Sequence, residues 1–235
     1  MRLFLTILFL LALTPGTASA ALEPWYEEVY AEVRKHYGAE AEARFRKLYA
    51  FVEENYELDE IDKARKVNYL ANNLTWIADQ DHYHQNDYWA TPLETISSFG
   101  GDCEDIAITK WALLRAMNVA PEKLRLAHVE LRRTGQAHMV LAFDPNPSDT
   151  SPSKPVYVLD NIAPEMLDHR RRTDLKLIYT VDGERNVRIF SDDGRHRRVV
   201  KSVEHAKVKK MIEIADRMAK QRAQIRELNG GRPLF

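Results

Sequence analysis

The sequence predicts an α+β fold in which N-terminal helices pack on an antiparallel β-sheet. In the first half of the chain, apolar residues recur at intervals of three and four, as on the buried face of a helix. In the second half they alternate with polar residues, as in half-buried strands. The sequence shows no internal repeat, and no linker separates the two halves. We therefore expect one domain over residues 21–235.

The helices are predicted from apolar spacing and from signals at helix ends. The i, i+3, i+4, i+7 spacing is followed by Phe45, Leu48, Tyr49 and Val52, and a second such pattern covers residues 61–74. Thr91-Pro92-Leu93-Glu94 has the composition of a capping box, and Gly100-Gly101 is expected to end that helix. Asp102 is expected to cap the next helix, with Asp105 at its third position.

The strands are predicted from alternation on either side of a turn at Thr134-Gly135. The apolar positions of the first two strands are Ala127, Val129 and Leu131, then Ala137, Met139, Leu141 and Phe143, with His138 on the other face. Residues 144–155 are expected to form a surface loop before a third strand that ends at Asp160. Strands are also expected near 175–181 and 187–190.

A charged helix is predicted over residues 202–228, with Val208, Met211, Ala215 and Met218 facing inward. We expect it to pack on the domain rather than to bind a partner.

The first 20 residues have the features of a secretory signal peptide. A positive start, Met1-Arg2, precedes the apolar run Leu3–Leu13 and the cleavage signal Ala18-Ser19-Ala20. The run is too short for a stable membrane span, and no later stretch is long and apolar enough for one. We therefore expect an exported, soluble protein without membrane insertion after signal removal, with a retained N-terminal anchor as the alternative.

The charge balance gives no reason to expect a nucleic acid or an anionic membrane as partner. The chain has 34 Lys and Arg against 35 Asp and Glu, for a formal net charge of -1. The basic runs Arg170-Arg171-Arg172 and 195–201 are expected to be solvated faces.

Cys103 is the only cysteine, so it has no partner for an intramolecular disulfide in an oxidising compartment. A buried structural cysteine is one reading, but the flanking carboxylates and the expected helix start favour a functional thiol. The N–H groups and dipole of a helix N-terminus favour an anion, and they could also stabilise an oxyanion.

A thiol nucleophile also needs a base and a group that orients the base. The candidates are His138 and Asp160, on neighbouring predicted strands. A core histidine and a turn-forming aspartate are the alternatives.

The acidic residues beside the thiol suggest a metal ion. Asp102, Glu104 and Asp105 would raise the pKa of Cys103, and a divalent cation would remove that opposition. Oxygen ligands outside the cytoplasm favour Ca²⁺. Asp79, Asp81 and Asp87 could complete such a site, although the acids could also serve only to cap the helix.

Four sequence blocks together carry a family resemblance. They are Gly100-Gly101-Asp102-Cys103-Glu104-Asp105, the preceding residues 87–94, the block 136–141 around His138, and the block 158–161 around Asp160. From about residue 25 to 190 the chain resembles the bacterial transglutaminase-like cysteine proteinases of the LapG type. The loop 144–155 is longer than the family pattern suggests, and the C-terminal helix is not covered by it.

The resemblance implies a papain-like, transglutaminase-type core. It also implies Cys103 as nucleophile, His138 as general base and then acid, Asp160 as the group that orients the imidazole, and Asp102 and Glu104 as calcium-associated acids.

The activity implied is calcium-dependent periplasmic cleavage of a large repeat adhesin, at an N-terminal di-alanine-containing site, which disperses a biofilm. The partner implied is the periplasmic domain of an inner-membrane cyclic-di-GMP receptor. Transfer of the acyl group to an amine, as in a transglutaminase, and a non-catalytic binding module remain alternatives.

Overall fold

A computed structural model describes residues 23–182, 187–190, 197–200 and 206–232, so the predicted signal peptide lies outside the described residues. The helices are α1 (Glu27–Tyr37), α2 (Ala39–Asn55), α3 (Glu60–Ala71), α4 (Asp79–His82), α5 (Pro92–Ser98), α6 (Cys103–Ala116) and α7 (Ala206–Leu228). The strands are β1 (Thr75–Trp76), β2 (Gly100–Gly101), β3 (Leu124–Leu131), β4 (Ala137–Phe143), β5 (Tyr157–Leu159), β6 (Leu167–Asp168), β7 (Leu175–Asp182), β8 (Val187–Phe190) and β9 (Arg197–Val200).

The main sheet is antiparallel and has the strand order β6-β5-β4-β3-β7-β8-β9. In its centre, β3 and β4 form a hairpin in which Val129 lies opposite His138. On the other side of β4, Leu141 lies opposite Leu159 of β5. Asp160, directly after β5, therefore emerges close to the end of β4 that carries His138.

The core lies between the N-terminal helices and one face of this sheet. Its fully buried members come from the helices α1, α2, α3 and α6 and from the strands β3, β4 and β5, and they include Phe45, Leu113, Leu124, Leu141 and Phe143. Helix α6 is the element that packs directly on β4. This contact holds the N-terminal end of α6 against the strand that carries His138, and the predicted α+β class is confirmed.

Short-range signals determine where the helices next to the site begin. Thr91 forms a capping box with Glu94, whose side chain accepts hydrogen bonds from the Thr91 backbone (2.7 Å) and hydroxyl (3.0 Å). Asp102 is the N-cap of α6, and its N–H donates to Asp105 at the third helical position (3.4 Å). Both helix starts confirm the sequence prediction.

The role predicted for Gly100-Gly101 was wrong. Helix α5 ends earlier, at Ser98, and Phe99 follows with φ +60°. The two glycines instead form β2, parallel to β1. A Cβ on Gly100 would lie 2.8 Å from the backbone oxygen of Thr75 in the paired strand, so only glycine allows this close approach.

Helix α7 packs on the domain, as expected. Ile214 and Met218 join an apolar cluster with Trp89 and Ala107, and Arg217 forms an ion pair with Glu94 (2.6 Å). The side chains of Val208 and Met211, and residues 202–205, lie outside the described part of the chain. Within that part, no helix has the length and apolar character needed to cross a membrane.

Candidate active site

Cys103 is the first residue of α6 and lines a cleft of about 630 Å³. Its thiol donates a hydrogen bond to the Glu104 carboxylate (2.9 Å), and a backbone hydrogen bond from Met139 reaches it from β4. His138, the neighbour of Met139, lines the same cleft. The start of α6 and the start of β4 thus bring the thiol and the imidazole to one cavity.

His138 is hydrogen-bonded to Asp160, with Nε2 2.7 Å from Oδ1, and both side chains are buried. The same carboxylate oxygen accepts a hydrogen bond from the N–H of Ile162 (2.9 Å). Burial raises the pKa of Asp160, but His138, Ile162 and Arg172 outweigh it and lower the pKa to about 2. Asp160 is therefore a carboxylate at neutral pH, and it orients the imidazole through Nε2.

Arg172, the cation beside Asp160, was predicted to lie on a solvated face, and that prediction was wrong. Arg172 is only 6% exposed, and its Nη2 lies 2.7 Å from Asp160 Oδ2. The chain buries this one member of the run, whereas Arg170 stays exposed and pairs with Asp168 (2.6 Å). No periodicity in Arg170-Arg171-Arg172 marks which member turns inward.

Two large apolar side chains line the cleft and were not singled out from the sequence. Trp76 of β1 is 58% exposed and Ile162, after β5, is 56% exposed. Exposed apolar side chains at a cleft are typical of a surface that binds a partner molecule.

The acidic residues around the thiol form one acidic cluster, which consists of Asp79, Asp87, Asp102, Glu104 and Asp105. Ligand oxygens of Asp79, Asp87 and Glu104 lie within 4.8 Å of one another, as do those of Asp79, Asp102 and Asp105. Of the three further acids that the sequence suggested, Asp79 and Asp87 therefore reach the site. Asp81 is not in these groups of described residues.

This acidic cluster opposes ionisation of the thiol. Burial raises the pKa of Cys103 far above its usual value, and the Glu104 charge and hydrogen bond raise it further. Burial also raises the pKa of Asp102 to about 9 and that of Asp105 to about 8, with contributions from neighbouring carboxylates. Burial and the neighbouring carboxylates thus outweigh the lowering of the Cys103 pKa that the helix N-terminus provides, in agreement with the effect predicted for the flanking acids.

A family model of bacterial transglutaminase-like cysteine proteinases matches residues 27–182. The chain belongs to this family. Residues 27–182 contain the five residues to which the resemblance gave a catalytic or calcium-binding role.

Solved structures of Legionella pneumophila LapG share this fold. One structure has 26% sequence identity and a TM-score of 0.64, and the match covers 83% of this chain and 99% of LapG. The EGTA-treated form matches with a TM-score of 0.65, 26% identity and coverage of 83% and 100%. The calcium-bound form matches with a TM-score of 0.62, 26% identity and coverage of 80% and 97%. A comparison with curated protein sequences found no match.

The acidic cluster of this cysteine proteinase fits a hard divalent cation. Asp79 Oδ1 and Asp102 Oδ1 are buried without a hydrogen-bond partner. Burying a carboxylate oxygen costs free energy unless a cation or a hydrogen-bond donor lies beside it. Several carboxylates at one point match the preference of Ca²⁺ for oxygen ligands.

The raised carboxylate pKa values predict how the metal-free protein responds to pH. Asp102 and Asp105 hold protons in the folded state that they lose in the unfolded state above pH 5, so stability falls as pH rises. His82, whose pKa burial lowers, acts in the opposite sense but is a single group. Lys110, with a pKa lowered to about 7, opposes the trend only above pH 7. We expect the melting temperature in chelator to drop by about 5 °C from pH 5 to pH 7.

Differential scanning calorimetry at the two pH values measures this change. Excess calcium is expected to abolish it, because a bound cation favours the ionised carboxylates. A melting temperature that rises from pH 5 to pH 7 in chelator would contradict the assignment of these two groups.

Proposed function

We propose that the protein is a calcium-dependent periplasmic cysteine endopeptidase with Cys103, His138 and Asp160 as its catalytic triad. The observation that carries the proposal is the shared cleft, which is lined both by a thiol at a helix N-terminus and by a histidine that is hydrogen-bonded to a buried carboxylate. The membership in a cysteine proteinase family supports the same reaction class.

In the proposed reaction, His138 takes the thiol proton and the Cys103 sulfur attacks the scissile carbonyl carbon. The backbone N–H groups in the first turn of α6 stabilise the oxyanion. The C–N bond then breaks, and the amine leaves with the proton from His138. A water molecule, deprotonated by His138, attacks the thioester and releases the acid and the free thiol.

Asp160 supports each step by accepting the hydrogen bond from His138 Nε2. Because that contact uses Nε2, the other ring nitrogen is left for the thiol and the leaving group.

Asp102 and Glu104, joined by Asp79 and Asp87, would hold the calcium ion. The ion supplies positive charge that offsets the carboxylates beside the thiol. This accounts for a thiol placed among acids that would otherwise suppress its ionisation.

The proposed substrate is the N-terminal region of a large repeat adhesin, cut at a di-alanine-containing site, which releases the adhesin and disperses the biofilm. The proposed partner is the periplasmic domain of an inner-membrane cyclic-di-GMP receptor that sequesters the protease. Both follow from the resemblance to LapG-type proteinases, and the predicted signal peptide supports the compartment.

The test is incubation of purified residues 21–235 with the N-terminal fragment of the organism's largest repeat-rich adhesin, with calcium or with chelator. We expect cleavage between small residues in calcium and none in chelator. Intact-mass analysis locates the bond, because hydrolysis adds one water across the two fragments. Crosslinked chains would instead indicate transfer to an amine, and intact substrate with reduced Cys103 would reject this substrate.

A further inference from the structure

Arg172 forms a charged contact behind His138 and Asp160. It follows the short 3-10 helix His169–Arg171, and its side chain is 5% exposed. Its Nη2 lies 2.7 Å from Asp160 Oδ2. The same guanidinium donates to both carboxylate oxygens of Asp174, from Nε (2.9 Å) and Nη2 (2.8 Å).

These contacts divide the two oxygens of Asp160 between different partners. Oδ1 accepts from His138 (2.7 Å) and from the Ile162 N–H (2.9 Å), whereas Oδ2 faces Arg172. A carboxylate rotates readily about its last side-chain bond, because that torsion is broad. A cation on Oδ2 therefore restricts the rotation that would move Oδ1 away from the imidazole.

The orientation of Arg172 is itself held by Asp174. A planar guanidinium with two parallel hydrogen bonds to one carboxylate has a defined orientation, which a lysine in its place would lack. The Asp174 side chain is exposed, whereas Arg172 and Asp160 are buried. The chain of contacts from Asp174 through Arg172 to Asp160 therefore begins at the protein surface.

A second buried cation, Lys110, also acts on Asp160, but it is not a permanent charge. Burial lowers the pKa of Lys110 to about 7, even though Asp160 acts to raise it. Arginine stays protonated under all conditions in which proteins fold. Arg172 is thus the constant positive charge beside Asp160.

We propose that Arg172 is a positioning residue that acts through Asp160, keeping Oδ1 on His138 by holding Oδ2. The proposal rests on the proposed function for the roles of His138 and Asp160. It adds that Arg172 and Asp174 form the outer part of the same chain of contacts.

The test compares Arg172→Gln and Arg172→Lys with Arg170→Gln as matched control. Arg170 belongs to the same run, but it is exposed and pairs with Asp168. We expect Arg172→Gln to lower kcat roughly 10- to 100-fold with KM unchanged, and Arg172→Lys to recover part of the loss. The control is expected to stay within about twofold of the parent protein.

A double-mutant cycle separates positioning from a general structural role. In an Asp160→Asn background, Arg172→Gln is expected to change kcat by less than about twofold, because the group it acts through is already altered. An equal loss in both backgrounds would overturn the proposal. Asp174→Asn, which removes no buried charge, is expected to give an intermediate loss, and it serves if Arg172→Gln does not fold.

Proton NMR provides a readout that needs no substrate. The His138 Nε2–H in the hydrogen bond to Asp160 is expected to shift or exchange faster in Arg172→Gln and Asp174→Asn but not in Arg170→Gln. If the resonance responds and the parent protein cuts no adhesin, the proposed function fails while the positioning role stands. An unchanged resonance in both variants would overturn the positioning role.

Discussion

Replacing Cys103 by alanine is expected to lower the cleavage rate by at least about 10⁴-fold, because the nucleophile of the proposed reaction is removed. The thiol is the only one in the chain, and no other described nucleophile stands at a helix N-terminus beside His138. Cleavage of the adhesin fragment in calcium, followed by intact-mass analysis, measures the effect.

The control for this variant is its fold. Cys103 lies at the wall of the cleft rather than in the main apolar core, so circular dichroism and the calcium-bound melting temperature are expected to stay near those of the parent protein. Cleavage within tenfold of the parent rate, by a folded Cys103→Ala protein, would reject the nucleophile assignment.

Neutralising the acids beside the thiol is expected to weaken calcium binding and cleavage together. Asp102→Asn and Glu104→Gln keep the side-chain shapes but remove the charges that a hard cation needs. We expect each variant to bind calcium about 10- to 100-fold more weakly in titration calorimetry, with a parallel loss of cleavage at limiting calcium. Chelation of the parent protein is expected to reproduce the loss of cleavage.

Asp59→Asn is the matched control for Asp102→Asn. Asp59 is also an aspartate N-cap, at the start of α3, but its side chain accepts from Asp62 N–H (2.9 Å) and is not among the residues that line the cleft. It is expected to leave calcium affinity unchanged. Full cleavage in chelator, or unaltered calcium affinity in Asp102→Asn and Glu104→Gln, would remove these acids from the metal site.

The helix starts at the site could be predicted from the sequence because the signals are local. Thr91 and Glu94 satisfy each other's backbone groups within one turn, and Asp105 accepts a hydrogen bond from the backbone N–H of Asp102. The position of Cys103 at a helix N-terminus follows directly from the cap before it. Strands as short as β1, β2 and β6 could not be predicted, because two residues show no period and depend on a partner strand.

His138 and Asp160 were predicted from the sequence by a different route, because their contact is not local. They lie 22 residues apart, and only the pairing of β4 with β5 brings them to a 2.7 Å contact. The alternation of apolar residues predicted both strands and made these two residues the candidates for the base and its partner, and the resemblance to a known family then implied their roles. Their catalytic roles remain predictions until the variants are measured.

The sequence by itself determined the α+β class, the helix start at Cys103 and the acids flanking it, because periodicity and capping act over a few residues. Only the tertiary structure decided that Arg172 turns inward to Asp160, that Asp79 and Asp87 join the acidic cluster, and that Trp76 and Ile162 line the cleft. The physical reason is that burial and charge pairing depend on segments far apart in the chain. A local sequence pattern predicts a helix or a strand and the residues on it, whereas the packing of α6 on the sheet decides which side chains come into contact.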